Sequence, residues 1–207
     1  MATKVSLWDA MALRRSRYAL VPQSPTSDER IIKIVQHAVT QCPSPFNVQS
    51  ARAIILLRGE HEKFWTLAED SAVKTWPLPA YQALKSKLAE YKSGYGTVLW
   101  FEDQDSISAV EKQLGPARWD LVKEKMPQWS EHSSGMHQYA VWTALSAEGF
   151  GCNLQHYNPI VDEGVREQWK VPSSWALKAQ LVFGKPVGPP REKTVIPPED
   201  RVFIYKS

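Results

Sequence analysis

Apolar residues follow a helical period over the first forty residues of the chain. Near the start they recur at helical spacing and stop at a group of arginines: Val5, Trp8, Met11 and Ala12. This spacing predicts an amphipathic helix that ends at the arginines. A second helix is predicted from Thr26 to about Val39, because Thr26 and Glu29 form a capping box ahead of an apolar stripe.

Runs of branched apolar residues predict strands at 53–57 and 97–101, and both runs are typical of strands buried on both faces. Helical patterns predict five further helices: 60–73, 78–92, 106–113, 118–125 and 133–148. The last of these has a candidate core face: Met136, Tyr139, Ala140, Thr143, Ala144 and Ala147. Further strands are predicted at 175–183 and 201–205. The sum is an α+β fold with a central mixed sheet surrounded by helices, as a single domain over 1–207.

Composition narrows the class of protein. A chain of 207 residues with 43% hydrophobic content can bury one core. A net charge of +3, without a basic run interleaved with aromatic residues, argues against nucleic-acid binding. The two cysteines, Cys42 and Cys152, have no CxxC spacing, and His61 lacks the second histidine of a zinc motif, so we predict no metal site and no disulfide framework.

The sequence also predicts where in the cell the protein is found. No apolar run is long enough to cross a bilayer, and the first twenty residues contain Asp9 and three arginines instead of the apolar core of a signal peptide. The cysteine usage is typical of a reducing environment. We therefore expect no membrane partner and a place in the cytoplasm, or also in the nucleus if the source is eukaryotic.

Two polar segments have the chemistry to bind opposite ends of one ligand. The loop from Ser44 to Arg52 offers hydroxyl and amide groups to a heteroaromatic ring edge, and the arginines at 14, 15 and 17 offer cations to a phosphate. Together they suggest a phosphorylated flavin. Two simpler interpretations stay open: the arginines complement the dipole of the helix that they end, and the loop is an ordinary polar turn.

Four segments, in this order, carry a resemblance to a known family: Arg14-Arg15-Ser16, Ser44 to Ser50, Gly149 to Pro159 and Pro190 to Lys193. The chain resembles the FMN-dependent nitroreductase family, and more closely its small fungal and bacterial branch. The resemblance implies an α+β sandwich and an interlocked homodimer with two flavins at the subunit interface, bound by residues of both subunits. It also implies that the C-terminal tail from about residue 185 reaches across to the neighbouring subunit.

Carried onto this sequence, the resemblance implies a set of cofactor-binding residues. For the phosphate and ribityl chain they are Arg14, Arg15 and Ser16; for the ring, Ser44, Pro45, Asn47 and Gln49; for the N5 side, Gln155 and His156; and for a cation from the tail, Arg191 and Lys193. The family's next basic position is Tyr18 here. Whether Arg191 or Lys193 replaces that missing cation stays open. The resemblance implies neither a catalytic side chain nor a metal.

The function implied by the resemblance is that of an FMN-dependent oxidoreductase. It would pass electrons from NADH or NADPH through bound flavin to a small aromatic acceptor, a nitroaromatic or a quinone, by a ping-pong mechanism. The biological context expected for such an enzyme is a stress response. The alternative is a flavin-binding regulatory protein in redox or lipid signalling with only incidental reductase activity, and the departure at Tyr18 keeps that alternative open.

Overall fold

The computed structural model describes residues 5–206. The helices in this range are α1 (Leu7–Leu13), α2 (Asp28–Gln41), α3 (Gly59–Thr75), α4 (Leu78–Lys92), α5 (Gln104–Leu114), α6 (Pro116–Val122), α7 (Met126–Ala147) and α8 (Asp162–Trp169). The strands are β1 (Leu20–Val21), β2 (Ala51–Leu57), β3 (Gly96–Asp103), β4 (Gly151–Gln155) and β5 (Trp175–Pro186). Short 3-10 turns lie at Pro45–Asn47 and Pro198–Asp200.

The five strands form one sheet built around β5, and the predicted α+β class is confirmed. β5 pairs with β1, β3 and β4, and β3 pairs with β2. All four ladders are antiparallel. Parallel pairing among the described residues is limited to an isolated bridge between Ser16 and Cys152, so the sheet is antiparallel where a mixed one was predicted.

The two strands predicted to be buried on both faces differ in their position. Every residue of β3 is buried, because β3 lies between β2 and β5 and has helices on both sides. β2 is half-buried along most of its length, with Leu56 as its buried residue. For β2 the prediction is therefore wrong, since this strand forms the edge of the sheet and one side of its backbone has no neighbouring strand in the described chain.

Side chains of β3 alternate between two cores, as the pleat of a strand requires. Leu99 and Phe101 belong to a core that includes Phe64 and Trp65 of α3. Val98 and Trp100 point the other way, into a core that also contains buried residues of α2 and α7: Ile31, Ile34, Val35, Ala38, Val141 and Leu145. The sheet is thus covered on both faces, and burial of these large apolar side chains stabilises the fold by about 1.5–3 kcal/mol each.

Helix α7 packs with a different face from the one predicted. Its buried residues are mostly polar on the N-terminal half: Ser130, Ser133, Ser134, His137 and Gln138. Of the predicted core face, Met136 and Tyr139 are exposed, while Thr143 is buried. The prediction is wrong for Met136 and Tyr139, whereas Ala140 and Ala144 do pack, partly buried, against the core that contains Val141 and Leu145.

Other local differences have plain causes. The N-cap of α2 is Ser27, whose hydroxyl accepts from the amide of Arg30, so the cap lies one residue after the predicted Thr26. The segment from Gly151, for which no strand was predicted, forms strand β4 because β5 offers it an open edge. The predicted strand at 201–205 is wrong for the described chain, in which this segment pairs with no strand and its side chains are exposed.

Candidate functional site

The cations predicted to bind a phosphate come together although they are far apart in the sequence. A cavity of about 270 Å³ is lined by both groups and by the residues around them: Arg14, Arg15, Ser16, Tyr18, Arg191, Glu192 and Lys193. Lys193 is exposed, and Arg14, Arg15 and Ser16 are half-buried, so their polar atoms are accessible to a ligand. Charge-assisted hydrogen bonds from such a group are suited to a phosphate.

The chain holds these arginines in place with aromatic rings and backbone carbonyls. The guanidinium of Arg14 lies 4.6 Å from the ring centre of Trp142 on α7, an approach typical of a cation–π contact. Arg15 donates to the backbone carbonyl of Arg191, and Arg17 donates to that of Gly188. The N-terminal arginines and the C-terminal tail are therefore tied to each other directly.

Tyr18, which stands where a basic residue was expected, is surrounded by cations. The guanidinium of Arg191 lies 4.8 Å from its ring centre, and the ammonium of Lys87 lies 5.3 Å away on α4. An aromatic face attracts a cation through its quadrupole. The ring thus brings positive charge from two other segments to a position where a basic side chain was expected, and of the two tail cations it is Arg191 that it contacts.

The loop from Ser44 to Gln49 has an unusual backbone. Phe46, Asn47 and Gln49 all have left-handed φ values, of 53°, 53° and 49°, although none is glycine. Such residues store strain and occur at functional sites more often than elsewhere. The Ser44 hydroxyl accepts from the backbone N–H of Gln49 at 3.0 Å, and the Arg52 guanidinium donates to the backbone carbonyl of Gln49 at 2.7 Å. The side chains of Asn47 and Gln49 remain exposed.

Arg52, the second residue of β2, is held by contacts at the end of the sheet. Its guanidinium forms an ion pair of 2.8 Å with Asp103 and donates to the Ser106 hydroxyl at 3.0 Å. Burial acts to raise the pKa of Asp103, but hydrogen bonds from Ser106 and Ser174 and the charge of Arg52 outweigh burial and lower that pKa. The loop's C-terminal end is thus anchored to an ionised carboxylate.

A fully buried glutamate adjoins the same loop and was missed from the sequence. The Glu102 carboxylate accepts from the Ser50 hydroxyl at 2.5 Å and from the Ser130 hydroxyl at 2.7 Å, both through Oε2. Burial raises the pKa of Glu102. The available signal was an acidic residue directly after the apolar run 97–101, where a strand of the core would continue.

Gln155 and His156 lie at the end of β4, which links them to the arginines. Besides the bridge between Ser16 and Cys152, the Asn153 amide donates to the Arg17 carbonyl at 2.8 Å. Gln155 in turn donates to Asn153 at 2.8 Å, and His156 is exposed. The residues predicted to contact the ring and those predicted to lie on its N5 side are therefore linked to different parts of the chain. Strand β4 joins Gln155 and His156 to the arginines, whereas the loop 44–49 has no such link.

The distance between the loop 44–49 and the arginines can be estimated along helix α7, because both pack on it. Phe46 of the loop packs on Trp129 near the start of α7, with ring centres 6.1 Å apart, whereas Arg14 packs on Trp142. At 1.5 Å per residue, Trp129 and Trp142 lie about 20 Å apart along the helix. The arginines and the loop of one chain therefore form two half-sites at different ends of α7.

Residues 5–206 contain no cluster of metal-binding side chains and no membrane-spanning helix. In this range no group of three or more His, Cys, Asp or Glu side chains is arranged to hold a metal ion. Nor does any helix there have the length and apolar character to cross a membrane. His61 is buried, with Nδ1 2.8 Å from the Thr97 hydroxyl and Nε2 3.2 Å from the Lys92 carbonyl, so its role is structural.

Comparison with known proteins gives a consistent result. The model of the nitroreductase family matches residues 11–185. A putative nitroreductase of Saccharomyces cerevisiae, HBN1, is 34% identical over 205 residues, which cover 98% of this chain and 100% of HBN1. Nitroreductase CinD from Lactococcus lactis in complex with nicotinic acid is 37% identical, with a TM-score of 0.86 over 97% of this chain and 100% of CinD. A Desulfitobacterium hafniense nitroreductase with bound FMN, 16% identical, shares the fold with a TM-score of 0.67 over 99% of this chain and 100% of its own.

Proposed function

We propose, from the membership of this chain in the nitroreductase family of flavin-dependent oxidoreductases, that it binds FMN. NADH or NADPH would reduce the flavin in a first half-reaction, and the flavin would pass its electrons to a nitroaromatic or quinone-like acceptor in a second, as a ping-pong mechanism requires. The observation that carries the proposal is the cavity in which N-terminal arginines and C-terminal tail cations meet. When bound, FMN would supply the redox chemistry, which protein side chains do not provide.

The residues of the cavity fit a phosphate. Arg14, Arg15 and Lys193 would neutralise its charge, and the Ser16 hydroxyl would complete the hydrogen bonds. Arg191 supplies the cation missing at Tyr18, because it lies over the Tyr18 ring. The regulatory alternative depends on the lack of a basic residue at Tyr18. Because Arg191 brings a cation to the Tyr18 ring, that lack argues less strongly against an enzyme.

The ring end of the cofactor would come from a second subunit. Ser44, Pro45, Asn47 and Gln49 would meet the ring edge from one chain while the arginines of its partner hold the phosphate, because within one chain the two half-sites are about 20 Å apart along α7. Gln155 and His156, joined to the arginines by β4, would lie beside the N5 region. No side chain of this set acts as a catalytic acid or base in the proposal.

Exposed apolar surface supports a homodimer. On α1, Leu7 and Trp8 are 68% and 76% exposed, and in the tail Phe203 and Ile204 are 72% and 74% exposed. Uncovered apolar surface of this extent marks a protein interface. Because residues 187–193 contact the N-terminal segment of their own chain, the implied crossing at about residue 185 is too early, and we propose instead that the tail beyond Lys193 packs on the neighbouring subunit, together with the exposed Met136 and Tyr139 of α7.

The acceptor class is suggested by a relative. CinD has been solved in complex with 4-nitrophenol and with chloramphenicol, both of which that protein binds. We propose small nitroaromatics of this kind as acceptors for the present chain. Planar aromatic acceptors stack well on a flavin ring, so the enzyme's contribution is orientation and exclusion of water.

The direct test is optical. Purified protein supplemented with FMN should retain a flavin absorbance band after gel filtration, and the band should bleach on anaerobic addition of NADH or NADPH. Addition of 4-nitrophenol should restore it. Retention of FMN without turnover on any acceptor would favour the regulatory alternative, and a colourless protein after supplementation would refute FMN binding. Sedimentation of the full chain and of a chain ending at residue 193, which keeps the cations of the cavity, tests the dimer: only the full chain should sediment as a stable dimer.

A further inference from the structure

The carboxylate of Glu102 is in a position that is unfavourable for a charged group. It lies in the central strand β3, its exposed fraction is 0%, and its Oε1 atom has no hydrogen-bond partner among the described residues. On the same face of β3, the indole N–H of Trp100 is also buried without a partner. Burial of an unsatisfied carboxylate oxygen opposes folding. A residue of this kind needs a compensating role.

The two partners of Glu102 suggest what that role is. Ser50 directly follows the loop 44–49, and Ser130 belongs to α7 directly after Trp129, the residue on which Phe46 packs. Both hydroxyls donate to the same oxygen, Oε2. Glu102 therefore joins the end of the loop to helix α7 through two short hydrogen bonds at a buried position.

The loop needs such a connection because its backbone is strained. Three left-handed residues other than glycine persist only where surrounding contacts determine them. The Ser50 carbonyl also accepts from the Asp103 amide at 2.9 Å, so Ser50 is fixed by its backbone and by its side chain to two consecutive residues of β3. Without the side-chain bond, the residues before Ser50 would be free to relax toward ordinary φ values.

We propose that Glu102 is a positioning residue: through Ser50, it holds the loop 44–49 in the conformation that presents Asn47 and Gln49 to the ring of the cofactor. The part of this inference that concerns the ring rests on the proposed function. The part that concerns the loop does not. Glu102 does not contact the cofactor, so its effect is expected on cofactor affinity and on loop order.

The test compares Ser50→Ala and Glu102→Gln with Ser133→Ala in the full-length protein. Ser133 is a matched control, because it is equally buried and its hydroxyl donates only within α7, to the Trp129 carbonyl. Two quantities are measured: hydrogen–deuterium exchange of the segment 44–50 without FMN, and the dissociation constant of FMN from fluorescence. Melting temperatures show how much general stability each variant loses.

We expect Ser50→Ala to speed exchange of the segment and to weaken FMN binding about tenfold, the effect of losing one hydrogen bond to a charged group. Glu102→Gln keeps an acceptor for Ser50 and should stay within about threefold of the wild type. Ser133→Ala should change neither quantity. Equal exchange and equal FMN affinity in Ser50→Ala and Ser133→Ala would overturn the proposal. Faster exchange in Ser50→Ala, with a wild type that binds no FMN, would uphold the role in the loop and refute the proposed function instead.

Discussion

Acid should destabilise this protein through His61. The ring is 0% exposed, and burial lowers its pKa from 6.5 to about 4. The contacts require the neutral form: Nε2–H donates to the Lys92 carbonyl, and Nδ1 accepts from the Thr97 hydroxyl, whose oxygen also accepts from the Trp65 indole at 3.0 Å. A proton on Nδ1 would turn that accepting nitrogen into a donor and break the arrangement.

The size of the effect follows from the two pKa values. In the unfolded chain His61 binds a proton below pH 6.5, whereas in the folded chain it does so only below about pH 4. Between these values the unfolded state binds more protons, so the free energy of unfolding falls as the pH falls. Over the full window the loss approaches about 3 kcal/mol, since each pKa unit corresponds to roughly 1.4 kcal/mol. Below pH 4 the contribution of His61 levels off.

Urea unfolding of the wild type and of His61→Gln, at fixed protein concentration between pH 7.5 and 4.5, measures this term. The glutamine variant should start less stable and should lose less stability on acidification, because the acidic groups titrate alike in both proteins and only the wild type has the buried imidazole. His37→Gln, at an exposed position of α2, should keep the wild-type slope. The same pH dependence in the wild type and in His61→Gln would refute the reasoning.

Three other substitutions test the site and the sheet. Arg14→Ala should weaken FMN binding by about 1–3 kcal/mol through loss of a charge-assisted contact, measured by flavin fluorescence, and unchanged affinity would refute its role at the phosphate. Tyr18→Leu should weaken FMN binding by about 0.5–2 kcal/mol because Arg191 loses its aromatic support, while Tyr18→Phe, which keeps the ring, should bind as the wild type does; equal binding by both would contradict this. Gly184→Ala should lower the free energy of unfolding by about 1–3 kcal/mol, because a Cβ there would lie 2.8 Å from a backbone carbonyl of β1, whereas Gly59→Ala, with open space at its Cβ, should not.

Local sequence signals were sufficient for most elements of the fold. Helices α3 and α4 begin and end close to their predicted bounds, since Trp76-Pro77 separates them and their amphipathic patterns are local. Strand β3 is also predicted by its own residues. The strand predicted at 201–205 does not form in the described chain, because an apolar run becomes a strand only where it pairs with a sheet edge. β4 was missed for the converse reason, since its pairing with β5 depends on residues thirty positions away.

The chemistry of the site was open to prediction, but its assembly was not. Arginine, serine and amide side chains have the same hydrogen-bonding groups wherever they lie, so the sequence by itself predicted phosphate and ring contacts and, through their order, identified the family. Only the tertiary structure brought Arg191 onto Tyr18, placed the two half-sites at different ends of α7 and buried Glu102 against Ser50. These features depend on contacts between residues that are distant in the chain, and the hydrophobic burial that selects such contacts is a property of the whole core.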